Sequence, residues 1–245
     1  MKKLIIVQAR MTSTRLPGKV MEIVCDKPIL EHLINRLKTI RSADQIVIAT
    51  TVNETDNQIV SLCKKLDTLY YRGSEEDVLG RYYEAAVEYG GEVIIRITSD
   101  CPVIDPEVVD YLINFFTNNI EKYDYVSNTL ERSYPMGMDA EVISFKTLKE
   151  AHFNAYEPYD REHVTPFIKK RPQQFRLYNI LYKRDISRCR WTLDTPEDLE
   201  LISKIFESLY YQNTFFSLKD MLDQMERTPK WETINAHVGT KKFGH

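Results

Sequence analysis

Short apolar runs rich in β-branched residues alternate with helical patterns through the first half of the chain. Because the runs are apolar throughout and each is followed by a helix, they predict a mainly parallel sheet with helices on both faces. The expected fold class is therefore an α/β three-layer sandwich. The predicted strands are Lys3–Gln8, Gln45–Thr50, Thr68–Tyr71 and Glu92–Thr98, and the predicted helices are Pro28–Ile40, Glu54–Leu66, Asp77–Tyr89 and Pro106–Asn118.

The pattern becomes irregular after about residue 120. No linker rich in Gly or Pro marks a second domain, so the 245 residues predict one domain whose second half completes the sheet. An alternating pattern from Met138 to Ile143 favours a strand at the sheet edge. The predicted strands here are Tyr125–Ser127, Asp139–Ile143, Arg176–Asn179 and Arg190–Thr192, and the predicted helices are Phe145–Asn154, Arg161–Lys170, Pro196–Tyr210 and Leu218–Met225.

Composition narrows the possible partners and the cellular compartment. A net charge of −3 gives no general attraction to nucleic acid or to acidic membranes, so any basic site must be local. The four cysteines form no CxxC pair, which argues against a zinc cluster or a disulfide framework. The first apolar run is too short for a signal peptide or a membrane span. We therefore expect a cytoplasmic protein.

The loop after the first predicted strand, QARMTSTRLPGK, carries three cations. Arg10, Arg15 and Lys19 follow a carboxyl strand end, where open parallel sheets bind ligands, and hydroxyl residues separate the two arginines. Cations, hydroxyls and backbone amides together can hold a polyphosphate. The Walker and dinucleotide glycine motifs are both absent, so binding would rest mainly on side-chain charge. The alternative is a solvated basic loop.

Two aspartates could hold the Mg²⁺ that a triphosphate commonly needs. Asp100, in TSDCPVIDP, follows the strand Glu92–Thr98, and Asp194, in LDTPEDLE, ends another apolar stretch. Mg²⁺ prefers one or two carboxylates and keeps several waters. Each residue has a structural alternative, since Asp100 precedes Pro102 in a turn pattern, while Asp194 precedes a helix start that it could cap.

These motifs, in this order, resemble those of the sugar cytidylyltransferases, which include the CMP-KDO and CMP-sialic acid synthetases. The resemblance is nearest to the spore coat polysaccharide biosynthesis branch and extends from Lys3 to about Tyr210. It implies a nucleotide-diphospho-sugar transferase (Rossmann-like) fold. Three further segments carry it: YRGSEEDVLGRYYEAA, YPMGMDAEVIS and REHVTPFIKKRP.

The resemblance implies transfer of CMP from CTP to a sugar or sugar-acid oxygen in surface polysaccharide synthesis, with Mg²⁺ as cofactor and pyrophosphate released. Arg10, Arg15 and Lys19 would hold the triphosphate, and Asp100 and Asp194 the metal; these five are the predicted catalytic residues. Where the KDO branch reads GDEP, this chain has Ser99-Asp100-Cys101-Pro102, so the acceptor is not implied. The expected CTP contacts are Gln8, Ala9, Arg10, Ser13, Arg15, Lys19, Arg72, Ser74 and Asp100.

Four residues of the second half are predicted to bind the acceptor. Asp139 and Glu141 would accept hydrogen bonds from sugar hydroxyls, unless they lie on a solvent-facing strand. Arg161 and His163 open a predicted helix, where His163 could contact the acceptor or a partner subunit, or be structural. The resemblance divides the chain into a nucleotide half, 1–120, an acceptor half that could also form a homodimer, 121–215, and a C-terminal extension, 216–245.

Two other functions are compatible with such a sheet. A glycosyltransferase using a sugar nucleotide usually carries a D-x-D pair, but Thr98 and Pro102 occupy the positions where a second aspartate would stand beside Asp100. A catalytically silent nucleotide-binding protein is the other alternative. The presence of both aspartates and of all three cations argues against it.

Overall fold

The computed structural model describes residues Met1–Gly239. The strands are Lys3–Gln8 (β1), Ile23–Val24 (β2), Lys27–Pro28 (β3), Gln45–Thr51 (β4), Leu69–Gly73 (β5), Val93–Thr98 (β6), Tyr125–Ser127 (β7), Glu141–Ser144 (β8) and Leu177–Asn179 (β9). The α-helices are Ile29–Leu37 (α1), Asn57–Lys65 (α2), Val78–Glu88 (α3), Pro106–Asn118 (α4), Phe145–Asn154 (α5), Pro158–His163 (α6), Pro166–Lys169 (α7), Pro196–Leu209 (α8) and Leu218–Arg227 (α9). Short 3₁₀ helices span Lys19–Met21, Glu54–Asp56 and Pro229–Thr233.

Within these residues the main sheet has seven strands in the order β5-β4-β1-β6-β8-β7-β9. Only β8 pairs antiparallel with its neighbours, so the sheet is mainly parallel, as predicted. The carboxyl ends of β1, β4, β5, β6 and β7 therefore meet at one edge, together with the amino end of β8. That edge is where polar side chains of this fold converge.

Both faces of the sheet are buried, which explains the unbroken apolar strands. In β1, Ile5 and Val7 point into one core with α1, α2, α4, α8 and α9, while Leu4 and Ile6 point into the other with α3, α5 and α7. All four side chains are fully buried. The predicted three-layer α/β sandwich is confirmed. No helix between Met1 and Gly239 is long and apolar enough to cross a membrane.

Three expectations about the second half were wrong. The helix predicted over Arg161–Lys170 is two short helices, because Val164 takes a positive φ of 72° and Pro166 begins the next one. Arg190–Thr192 forms only a single bridge, Met136 to Arg190, and no strand. The strand containing Glu141 lies inside the sheet between β6 and β7, not at its edge.

Much of the proposed C-terminal extension belongs to the main core. Phe216, Leu218, Met221, Leu222 and Met225 are buried in the same core as α1 and α8. Residues 240–245, which include Lys241 and Lys242, lie outside the described residues.

Candidate active site

A cavity of about 310 Å³ opens at the carboxyl edge of the sheet, beside the loop that follows β1. We refer to it as the first cavity. It brings together both predicted metal ligands and all three cations of the loop. Its lining residues are Gln8, Ala9, Arg10, Ser13, Thr14, Arg15, Lys19, Val78, Arg81, Arg96, Thr98, Ser99, Asp100, Glu162, His163 and Asp194.

The loop after β1 is folded back by backbone bonds. Gly18 takes a φ of 75°, a conformation that disfavours a side chain, and its amide donates to the Met11 carbonyl at 2.9 Å. The Met11 amide donates in turn to the Asp56 carboxylate at 2.8 Å. Asp56 is fully buried, so the loop is anchored to the end of β4. No sequence motif indicated that Asp56 would hold this loop.

Asp194 is surrounded by cations. Its carboxylate lies 2.7 Å from Arg15 Nη2, 2.8 Å from Lys19 Nζ and 3.4 Å from Arg190 Nη2. Burial would raise the pKa of Asp194, but the charge and hydrogen bond of Lys19, with the charges of Arg15 and Arg190, outweigh it and lower the pKa. Two predicted phosphate-binding cations thus contact a predicted metal ligand.

Asp194 is not the cap of α8. Thr195 is the N-cap, and it forms a capping box with the fully buried Asp198. Asp198 also accepts hydrogen bonds from Arg190, at 2.8 and 2.9 Å. The capping role is therefore filled by the next residue, and the Asp194 carboxylate faces the first cavity.

Asp100 lies beside the Asp194 segment. Its carbonyl accepts a 2.8 Å hydrogen bond from the Leu193 amide, and its carboxylate accepts one from the Thr98 hydroxyl. No three His, Cys, Asp or Glu side chains between Met1 and Gly239 cluster as metal ligands. Asp100 and Asp194, the two predicted ligands for a divalent ion, both line the first cavity, and such an ion would need phosphate and water oxygens as well.

Three predicted site residues, Arg72, Ser74 and Arg161, do not line the first cavity. Arg72 donates from its guanidinium to Thr51 O, Asn53 O and Asn57 Oδ1 at 2.8–2.9 Å, so it holds the loop after β4. Ser74 accepts from the Asp77 amide at 3.1 Å. Arg161 pairs with Asp77 through two nitrogen atoms. These contacts give all three residues a structural role and do not place them beside the other predicted ligands.

A second cavity of about 460 Å³ adjoins the first and shares Arg96, Thr98 and His163 with it. Asp139 lines it and is held by Arg132 through two contacts of 2.8 and 3.0 Å. The other lining residues are Thr129, Arg132, Glu141, Tyr159, Pro166, Lys169 and Lys170.

Glu141 is already saturated with protein partners. It accepts hydrogen bonds from Tyr125 at 2.6 Å, Thr165 at 2.8 Å and Lys169 at 3.0 Å, and it pairs with Arg96. Burial would raise its pKa, but Lys169 and Arg96 outweigh this and lower the pKa well below its ordinary value. The arrangement does not support the prediction that Glu141 binds acceptor hydroxyls.

Arg81 and Arg96 line the first cavity but were not identified in the sequence. Arg96 is a cation inside the apolar run VIIRIT of β6, and Arg81 lies among the buried residues of the amphipathic helix α3. Both arginines occupy otherwise apolar positions of a strand or helix, and this pattern could have identified them. A charged residue that is buried needs a specific partner.

Comparison with known proteins identifies a family for this chain. The cytidylyltransferase family model matches residues 4–226. The chain is 33% identical to the spore coat polysaccharide biosynthesis protein SpsF of Bacillus subtilis, over 92% of this chain and 95% of that protein.

Two solved structures are similar to this one. A cytidylyltransferase from Leptospira borgpetersenii superposes with a TM-score of 0.91 and 31% identity, covering all of both chains. A CMP:2-keto-3-deoxy-manno-octonic acid synthetase in complex with CTP matches with a TM-score of 0.64 and 15% identity, covering 85% of this chain and 99% of that one. The second likeness concerns the fold alone.

Proposed function

This chain belongs to the cytidylyltransferase family of nucleotidyltransferase enzymes, and we propose that it transfers CMP from CTP to an oxygen of an anionic sugar acceptor. The acceptor oxygen attacks the α-phosphorus, and the bond from that phosphorus to the pyrophosphate oxygen breaks. The hydroxyl proton passes to solvent, and pyrophosphate leaves. The observation that carries the proposal is the first cavity, where Arg10, Arg15 and Lys19 converge with two aspartates. The relationship to SpsF favours a role in surface polysaccharide synthesis.

Arg15 and Lys19 would hold the triphosphate and stabilise the departing pyrophosphate. Both now contact Asp194, at 2.7 and 2.8 Å. Phosphate oxygens accept the same charge-assisted hydrogen bonds, so a bound triphosphate can share these cations with the carboxylate. Lys19 is only 8% exposed, and its nitrogen also donates to the Leu193 carbonyl at 2.7 Å. These contacts hold the Lys19 nitrogen in position before substrate binds, as electrostatic catalysis requires.

Asp100 and Asp194 would hold a Mg²⁺ ion. Two carboxylates in one cavity suit its usual coordination, in which phosphates and water complete the shell. When bound, the ion supplies Lewis-acid and templating chemistry at phosphate oxygens. Arg15, Lys19 and Arg190 around Asp194 add positive charge to the cavity, as a divalent ion would, so these cations and the ion would attract the same anionic substrate.

The second cavity is the proposed acceptor site. It adjoins the first cavity and shares His163 with it, so a ligand there can reach the nucleotide. Two cations, Arg96 and Lys169, share the single carboxylate of Glu141, which leaves a positive charge uncompensated at its wall. An acceptor carboxylate would be attracted there. Glu141 then acts as an anchor for these cations, and Asp139 orients Arg132 beside them.

An assay of pyrophosphate release tests the proposal. The protein would be incubated with Mg²⁺, each of the four common ribonucleoside triphosphates, and a panel of sugar acids with matched neutral sugars. We expect release from CTP with a sugar acid, and a CMP-linked product by mass spectrometry. Release of a nucleoside diphosphate from a sugar nucleotide would instead identify a glycosyltransferase, and no turnover on the whole panel would favour a silent binding protein.

A further inference from the structure

Arg81 is a buried cation at the wall of the first cavity. It lies on the first turn of α3 and is 2% exposed, which places it among the most deeply buried large side chains between Met1 and Gly239. Its Cγ would lie 3.3 Å from a Cβ atom added at Gly73, so it packs against the carboxyl end of β5. Arg81, Arg15 and Lys19 all line the first cavity.

The guanidinium of Arg81 lacks partners. Its Nε and Nη1 atoms are inaccessible to solvent, and neither has a hydrogen-bond partner among the described residues. Arg36, which is similarly buried, also has one unpartnered nitrogen atom, Nη1, but its Nε donates to Ile104 O at 2.9 Å and its Nη2 to Phe216 O at 2.6 Å. A buried charge without hydrogen bonds is unfavourable, so such groups are normally paired. Arg81 is therefore arranged for a partner outside the protein chain.

The charged neighbours of Arg81 are engaged elsewhere. Asp56 accepts from the Met11 amide and from Thr50 and Thr51. Glu75 accepts from Arg10 at 3.2 Å and from two further side chains. Burial lowers the pKa of Arg81 and the positive charge of Arg10 lowers it further, while the charges of Asp56 and Glu75 oppose this shift without offsetting it. Two guanidinium groups near one another favour an anion between them.

We propose that the Arg81 guanidinium binds a phosphate group of the nucleotide, together with Arg10. Arginine presents planar, charged donors that match phosphate oxygens, and the Nε and Nη1 atoms of Arg81 have no hydrogen-bond partner among the described residues. This inference rests on the proposed function, because it takes the ligand of the first cavity to be a nucleoside triphosphate. It adds a second cationic contact, on the α3 side of the cavity, to that made by Arg15 and Lys19.

Calorimetric titration of Arg81→Met and Arg81→Lys tests this inference, with inorganic pyrophosphate, CTP and cytidine as three separate probes. Loss of a hydrogen bond to a charged group costs about 1.5–3 kcal/mol, or roughly 10- to 150-fold in affinity. We expect Arg81→Met to weaken pyrophosphate and CTP by that factor and to leave cytidine unchanged, with Arg81→Lys intermediate. Arg176→Met, which removes a charge from an exposed residue, is the matched control and should bind like the wild type.

The ligand-free melting temperature provides an independent readout. If Arg81 is kept for a phosphate, Arg81→Met should melt at or above the wild-type temperature, since it removes an unpaired buried charge. A lower melting temperature with unchanged pyrophosphate affinity would show a structural arginine and overturn the inference. Loss of cytidine binding alone would place Arg81 at the nucleoside and also overturn it.

The two proposals fail in different ways. If the wild type binds pyrophosphate but releases no pyrophosphate from CTP with any acceptor, the proposed function is wrong. The Arg81 contact is then still tested by the titrations. If the wild type turns over CTP and Arg81→Met keeps its pyrophosphate affinity, only the Arg81 inference fails.

Discussion

The backbone amide of Leu193 donates a 2.8 Å hydrogen bond to the carbonyl oxygen of Asp100. This bond joins the loop after β6 to the segment that leads into α8, two parts of the chain that are far apart in sequence. It places Asp194, the next residue, next to Asp100 at the first cavity. Thr195 caps the helix, so the carboxylate of Asp194 does not have to. The paired aspartates therefore depend on a backbone contact that no local sequence pattern specifies.

Asp100→Asn and Asp194→Asn should each lower turnover with CTP by about 10²–10³-fold. This is the loss measured when one preorganised electrostatic contact is removed from a transition state. Magnesium titration of the initial rate should show a raised requirement for the ion in both variants. Asp223→Asn, which alters an exposed carboxylate on α9, is the control and should keep wild-type kinetics. Wild-type turnover and magnesium dependence in Asp100→Asn would contradict the assignment of this residue.

The Lys19–Asp194 pair should stabilise the fold in a pH-dependent manner. Because the folded protein lowers the pKa of Asp194, the ionised pair contributes fully above the unfolded pKa of about 3.9. The contribution is lost as the pH falls through the lower folded pKa. A double-mutant cycle of Lys19→Met and Asp194→Asn should give a coupling free energy within about 0.5–3 kcal/mol at pH 6. Urea unfolding at pH 6 and below pH 3 measures it, and an equal coupling at both pH values would contradict the prediction.

The sequence predicted the sheet well because each strand and helix carries its own periodicity. β1, α4 and α5 begin and end where predicted, since their apolar residues and caps are local. The failures share a cause. Val164 adopts a positive φ that its β-branched side chain disfavours, and the segment around Arg190 bonds to Met136 and Asp100 in turn. Both depend on tertiary contacts.

The site residues likewise divide into those that a local sequence pattern predicts and those that depend on tertiary contacts. The loop cations and the two aspartates stand at strand ends or helix starts, so their positions follow from the predicted elements. Arg81 and Arg96 lie in an amphipathic helix and an apolar strand, and the partners of Glu141 come from separate segments that only the folded sheet brings together. Arg72 was assigned from the resemblance and Arg161 from its place at a predicted helix start, and both guanidinium groups hold neighbouring loops and helices.

Replacement of Glu141 should destabilise the fold strongly. Glu141→Gln removes the charge that pairs with Arg96 and Lys169, and breaking a buried ion pair typically costs about 3–5 kcal/mol. Asp139→Asn is the matched control, because it alters the neighbouring ion pair with Arg132, whose side chains are about one-third exposed. It should lower the free energy of unfolding by about 1 kcal/mol or less. Urea unfolding at pH 7 compares the two, and equal losses would contradict the anchoring role of Glu141.

Arg132→Met should raise the KM for the acceptor without changing the KM for CTP. Arg132 lines the second cavity and is held there by Asp139, so its guanidinium is positioned for an acceptor carboxylate without reaching the first cavity. Steady-state kinetics would use the sugar acid that supports pyrophosphate release in the wild type. We expect the KM for that acid to rise about 10- to 100-fold, the effect of one lost charged hydrogen bond, while the KM for CTP stays unchanged. Arg176→Met again controls for the lost charge. A rise in the KM for CTP of the same size, or no rise for the acid, would show that the second cavity is not the acceptor site.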